Sequence, residues 1–254
     1  IRRQREYEAL TETILREDFE GWTQLTLNRP DKLNSLTVEM FALLRSHIED
    51  LAQSSGIGCV VIRGAGKCFS AGHDLNGIAQ GESPPSKGWH SETLRMLEKL
   101  PIPVVAAVHG HCYTGALEVA LAADFIIASD NARFGDTHAK FALTPVWGMS
   151  VRLPRRVGTA TAKKLMFTAQ MFDADEAVRI GLAEYAVPDT DFDAEITKLA
   201  VQIAAQSHFS HAANKRLIEH SDARGVDDAL VREWMDGEGR GPDMAERIAA
   251  FQKR

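Results

Sequence analysis

The sequence predicts an α/β fold with a helical C-terminal region, and three observations carry that expectation. Strand-like and helix-like segments interleave through about residue 195 instead of segregating into blocks. The run Val104-Val-Ala-Ala-Val108 is apolar without alternation, as suits a strand covered on both faces. Beyond about residue 195 the pattern turns helical only, so residues 1–195 read as an α/β core and 196–254 as a helical region that packs on the core or on another subunit.

Taken in order, Trp22–Leu27 alternates like a strand and ends in a turn at Asn28-Arg-Pro-Asp31. Thr37 then caps a helix that carries Met40, Leu43, Leu44 and Ile48 at helical spacing. Cys59-Val-Val-Ile62 is a short buried strand stopped by Gly64, and Gln80–Gly88, with two prolines, is a flexible loop. After Val104–Val108 the chain turns and starts a helix at Gly115, and Phe125-Ile-Ile-Ala128 supplies a further strand. Three helices come next, at Ile196–Ala205, Ala212–Glu219 and Val226–Met235. In the last, Val226, Leu230 and Trp234 recur every four residues and form an apolar stripe suited to burial against a neighbour.

Composition narrows the function. The 254 residues are 44% hydrophobic and 25% charged, ordinary for a globular protein. Lys and Arg total 29 against 35 for Asp and Glu, giving −6 with no block of like charge, so a nucleic-acid partner is not expected. No apolar stretch approaches the roughly 18 residues of a spanning helix, and the opening Arg2, Arg3 and Arg5 do not resemble a signal peptide. A soluble, cytoplasmic protein without a membrane partner is therefore expected, with a native start upstream of Ile1. Cys59, Cys68 and Cys112 lack CxxC spacing, which indicates neither a disulfide framework nor a zinc ribbon. Among His73, His109, His111 and His138 only His109 and His111 are close, with no carboxylate at a ligand spacing, so no metal is expected. No Rossmann or P-loop fingerprint calls for NAD, FAD or ATP.

Three junctions between strand and loop carry the chemistry. Phe69-Ser-Ala-Gly-His-Asp74 is a turn of small residues that lets backbone approach backbone or ligand. At His109-Gly-His-Cys-Tyr-Thr-Gly115 a strand passes into a helix whose first N–H groups are unpaired at the positive end of its dipole, a ready site for an oxyanion. Glu118 lies in that first turn among apolar neighbours, which predicts partial burial and easier protonation than at the surface. Asp136 and His138 share the third loop, two residues apart, and would suit acid/base work beside that carboxylate. Each motif also has a plain structural reading: a glycine turn, a surface glutamate near a helix start, a polar loop.

The order of the motifs resembles the crotonase family of enoyl-CoA hydratases and isomerases. Leu27-Asn-Arg-Pro-Asp-Lys-Leu-Asn-Ser-Leu36, Phe69-Ser-Ala-Gly-His-Asp-Leu75, Gly110-His-Cys-Tyr-Thr-Gly-Ala-Leu-Glu118, Phe134-Gly135 with Pro145 and Gly148, and Ala174–Leu182 followed by Val187-Pro188 match it in order and spacing from about residue 20 onward. The resemblance implies a spiral of ββα units, a homotrimer or homohexamer, and an acyl-CoA substrate with no cofactor beyond the coenzyme A that the substrate carries. It places the oxyanion hole at the N–H groups of His73 and Gly115. Leu33, Ala71, Gly72, Asp74, Leu75 and Trp147 would then surround the substrate. One catalytic glutamate of the family's hydratases matches Glu118. The other falls on His138, the main departure from the pattern. Three activities are compatible with this: syn hydration of a 2-enoyl-CoA by Glu118 and His138 with Asp136 steering; isomerisation or hydrolysis of a specialised acyl-CoA through the same hole; or binding of CoA esters without catalysis.

Overall fold

The structure, a computed structural model, describes residues 12–221 and 224–252. Strand β1 (Ile14–Asp18) is antiparallel to β2 (Trp22–Leu27), and from β2 the sheet continues in parallel through β3 (Cys59–Gly64) and β4 (Val104–Val108). Helix α1 (Val38–Leu51) crosses between β2 and β3. Its N-cap is the expected Thr37, whose hydroxyl accepts the Met40 N–H at 3.3 Å. Met40, Phe41, Leu44, Ile48 and Leu51 are buried on one face of α1, each such side chain contributing about 1.5–3 kcal/mol.

After β3 come α2 (Leu75–Ala79) and α3 (Trp89–Glu98). Strand β4 turns into β5 (His111–Tyr113), followed by α4 (Gly115–Leu121). β6 (Phe125–Ser129) turns into β7 (Arg133–Gly135), and a 3-10 turn at His138–Phe141 leads to α5 (Met149–Val157) and α6 (Thr159–Thr168). β8 (Phe172–Asp173), α7 (Ala174–Arg179) and β9 (Tyr185–Val187) close the core. The large sheet runs β1-β2-β3-β4-β6-β9 and a second, small sheet runs β5-β7-β8. Strand pairs β4–β5 and β6–β7 each place one strand in either sheet before a helix, which is the expected ββα spiral.

The small sheet decides where the chemistry lies. Ser70 bridges Cys112 in parallel, and Cys112 pairs with Phe134, also in parallel. Three turns of the spiral therefore reach this sheet in register and leave it at the same end. The stretches that leave these three positions, Ala71–His73, Tyr113–Gly115 and Gly135–His138, are brought together although they are far apart in sequence.

Alternation along the large sheet buries residues on both faces. Val60, Ile62, Val104, Ala106 and Ile126 belong to the main core, while Cys59, Val61, Val105, Ala107 and Ile127 face the other way. The cover of that second face corrects the division expected at residue 195. Helix α8 spans Phe192–Ala204, and its Phe192, Ile196 and Ala200, four residues apart, pack on the back of the sheet, so a boundary at 195/196 cuts a helix of the core. The later helices, α9 (His208–Ser221), α10 (Val226–Asp236) and α11 (Met244–Gln252), bury no residue fully. None of the helices among the described residues is long and apolar enough to cross a membrane.

Candidate active site

Two backbone N–H groups meet at the exit of the small sheet. The Leu36–His73 bridge uses the N–H of Leu36, given to the Gly72 carbonyl at 2.8 Å, and that of Asp74, given to the Leu36 carbonyl at 2.9 Å. Among the described residues the His73 N–H has no acceptor. Neither has the Gly115 N–H, first in α4. They are neighbours because both turns are glycine-tight: a Cβ on Gly72, at φ +101°, would meet the Tyr113 carbonyl at 2.6 Å, and one on Gly115 would stand 3.2 Å from the His73 nitrogen. Thr114 takes a left-handed φ of 51° with ψ −108° to aim Gly115, a conformation costing a threonine about 1–3 kcal/mol. Its hydroxyl offsets part of that by meeting the Thr137 hydroxyl at 2.5 Å and accepting the Thr137 N–H at 3.1 Å.

Glu118 is buried, 1% exposed, which removes its reading as a surface glutamate. Its Oε1 accepts the N–H groups of Trp147 at 3.0 Å and Met149 at 2.9 Å, the second at the start of α5. Its Oε2 faces His138 Nε2 at 3.9 Å. Asp136 stands behind, with Oδ1 2.6 Å from His138 Nδ1 and accepting the His138 N–H at 3.2 Å. With the Nδ1 proton held on Asp136, Nε2 is the atom left to exchange protons over Glu118. Burial pushes the Glu118 carboxyl above its usual range, partly offset by the two N–H groups and by His138.

That shift has a sign for stability. A carboxyl raised in the folded state favours folding while protonated, and this contribution is lost as pH rises through the folded value. Glu118→Gln, neutral throughout, is therefore expected to melt above the parent protein at pH 7, with the gap closing as pH falls toward 4; thermal scans across that range check it.

A cavity of about 610 Å³ opens over these groups, and of the candidate residues Ala71, His73, Leu75, Gly115, Glu118, His138 and Trp147 are at its wall. Four expected residues are not. Gly72 shapes the turn. Asp74 is committed to Arg29 at 3.0 Å and to capping α2 through the Asn76 N–H at 3.1 Å. Leu33 is partly exposed and offers its carbonyl to the Ala71 N–H at 2.9 Å. Asp136 stands behind His138 and reaches the cavity only through that ring. The histidines do not gather: among the described residues no three His, Cys, Asp or Glu side chains are placed to hold a metal ion.

Some partners had no signal in the sequence. Glu82, in the loop after α2, pairs with His73 Nε2, and Gly77 leaves room for its carboxylate. Trp147 lies tilted against His73 at 4.6 Å between ring centres and stacks on His90 at 4.9 Å, while its indole fills the space a Gly115 side chain would need. Burial pushes the His90 imidazole down to about 4, so it is uncharged at neutral pH.

Residues 17–232 match the enoyl-CoA hydratase/isomerase family. The short-chain-enoyl-CoA hydratase of Clostridium acetobutylicum is 34% identical over 213 residues, 82% of either chain. The crotonyl-CoA hydratase of Syntrophomonas wolfei is 30% identical over 223 residues, 86% of each. The 1,2-epoxyphenylacetyl-CoA isomerase of Escherichia coli is 31% identical over 251 residues, 95% of this chain and 96% of that one. An enoyl-CoA hydratase structure from Bacillus anthracis superposes with a TM-score of 0.89 at 28% identity, covering 95% of this chain and 96% of that one. On the family match across most of its length, the fold and these relatives, the chain belongs to the enoyl-CoA hydratase/isomerase family.

Proposed function

We propose that the protein hydrates a 2-enoyl-CoA, with Glu118 and His138 as its proton-transfer pair. The observation that carries this reading is the 3.9 Å approach of Glu118 Oε2 to His138 Nε2 close to two unpaired N–H groups. The names of two relatives, a short-chain-enoyl-CoA hydratase and a crotonyl-CoA hydratase, support it. The thioester oxygen accepts the N–H groups of His73 and Gly115, which draws electrons from the β-carbon. A water held about 2.8 Å from both side chains gives a proton to Glu118 Oε2 while its oxygen bonds to that carbon. The enolate oxygen is stabilised by the two donors, and His138 Nε2–H protonates the α-carbon. The proton on Glu118 then crosses to His138 and resets the pair. Every step runs on this chain's groups and the CoA ester, so the reading calls for no NAD, FAD, ATP or metal.

His138→Ala is expected to lower kcat on crotonyl-CoA by about 10² to 10⁴, whereas His138→Glu, with a carboxyl at the same place, retains activity. A folded His138→Ala protein with parental kcat overturns the two-residue mechanism. Because the hydrating carboxylate must be ionised and burial raises it, the acid limb of kcat is expected above the range of an ordinary glutamate.

The assembly is part of the same proposal. Val226, Leu230 and Trp234 on α10, and Ile248 and Phe251 on α11, are exposed in the single chain, Trp234 by 83% and Phe251 by 78%. Apolar area of that kind is commonly covered by another subunit. A trimer or hexamer is expected, and light scattering that gives a monomer at micromolar concentration refutes it.

A further inference from the structure

We propose that Arg152, braced by Glu98, is a positioning residue for the reaction: it fixes the Trp147–Met149 turn whose two N–H groups hold the Glu118 carboxylate. This rests on the reading of Glu118 as the group that activates water. The turn is built around Gly148, at φ +125° and ψ 9°, a conformation for glycine alone. Trp147 and Met149 on its two sides both donate to Glu118 Oε1, so the carboxylate is held only while this geometry persists.

Within the turn the Gly148 carbonyl accepts the Val151 N–H at 3.0 Å and the Arg152 N–H at 2.9 Å, but the Trp147 carbonyl needs a donor from a side chain. Its stabiliser comes from one turn further along α5. Arg152 Nη1 donates to the Trp147 carbonyl at 2.9 Å, and the guanidinium lies where a Gly148 side chain would be, so that a Cβ there would collide with Nη1. The other edge of the same plane is bidentate to Glu98 at the end of α3: Nε to Oε1 at 3.3 Å and Nη2 to Oε2 at 3.1 Å. Arg152 is largely buried, its side chain 12% exposed against 36% for Glu98, so the ion pair is anchored at the arginine end and reaches solvent at the glutamate end. A planar fork can bond a carbonyl on one edge and a carboxylate on the other without rotating, which a lysine ammonium cannot reproduce. A chain of contacts therefore runs from the surface of α3 through Arg152 and the turn to Glu118.

Arg152 acts on Glu118 through this geometry and does not touch it. The titratable groups that face the carboxylate are His138 and, behind it, Asp136; from α5 it meets the Met149 N–H. Loosening the turn weakens two bonds that favour the ionised carboxylate and leaves burial, which opposes it, in place. The titration of Glu118 then moves up, and the acid limb of hydration moves with it.

The test is a ¹³C NMR titration of the Glu118 carboxyl, assigned by its loss in Glu118→Gln, run beside kcat against pH on crotonyl-CoA for the parent, Arg152→Met and Glu98→Gln. Arg152→Met is expected to raise both midpoints by roughly half to one pH unit, about the worth of one hydrogen bond, and Glu98→Gln to raise them less in the same direction. A lowered kcat with both midpoints unmoved overturns the proposal, because a merely structural arginine would do that. If Arg152→Met fails to fold, Glu98→Gln at the partly exposed end decides, and an unmoved NMR midpoint overturns it. A parent that hydrates nothing counts against the hydratase reading, while the NMR titration of the free protein still decides the brace.

Discussion

Glu118→Gln is expected to lower kcat for crotonyl-CoA hydration by about 10² to 10⁴ while leaving the protein folded. The amide keeps an oxygen for the Trp147 and Met149 N–H groups, so the turn that holds residue 118 persists, and what is lost is the ability of Oε2 to take a proton from water. Because Glu118 and His138 handle the same proton across 3.9 Å, their losses are expected to overlap: His138→Ala placed on Glu118→Gln should cost far less than it costs alone. Independent roles would instead multiply the two factors. Single-turnover rates on the two single variants and the double variant separate these outcomes, and multiplicative losses refute a shared proton path.

The parts of the site that could be read in the sequence are those written locally. Gly72 and Gly115 show as tight turns because a side chain at either place meets backbone or a neighbouring ring at 2.5–2.6 Å. Asp136 and His138 share a loop two residues apart, and Glu118 stands alone in an apolar run. The meeting of these groups is not local. It depends on the parallel register of Ser70, Cys112 and Phe134, which alternation along single strands does not specify. Arg152 and Glu98 are 54 residues apart on two different helices, and nothing near either one marks the contact. The start of α8 shows the opposite case: the Phe192, Ile196, Ala200 spacing is present in the chain, but Asp189–Asp191 forms a short 3-10 turn directly before it, and that acidic stretch reads as loop. Asp74 illustrates a third limit. The resemblance places its carboxylate beside the substrate, whereas its partner Arg29, 45 residues earlier, occupies it.

Replacing the peptide N–H of residue 115 by an ester oxygen, Gly115→glycolic acid, is expected to lower kcat by about 10² to 10³, the worth of one oxyanion donor, with little change in melting behaviour. The exchange alters one atom and adds no bulk. That matters because the familiar ways of deleting this N–H do more. Proline would bring a Cβ that meets Trp147 Cζ3 at 2.5 Å, and it would force Thr114, at φ 51° and ψ −108°, toward the extended region that a residue before proline prefers. Gly115→Ala is the steric control: it keeps the N–H but pushes on the Trp147 ring, and through the Trp147 N–H it disturbs Glu118. The two variants are expected to fail differently. The ester should bind the substrate nearly as the parent does and turn it over slowly, since the donor matters most once charge has gathered on the oxygen. Alanine should lower kcat and also shift its acid limb upward, because the carboxylate turn moves. An ester variant with parental kcat means that the Gly115 N–H does not face the developing oxyanion, and the hydration mechanism then fails at its first step.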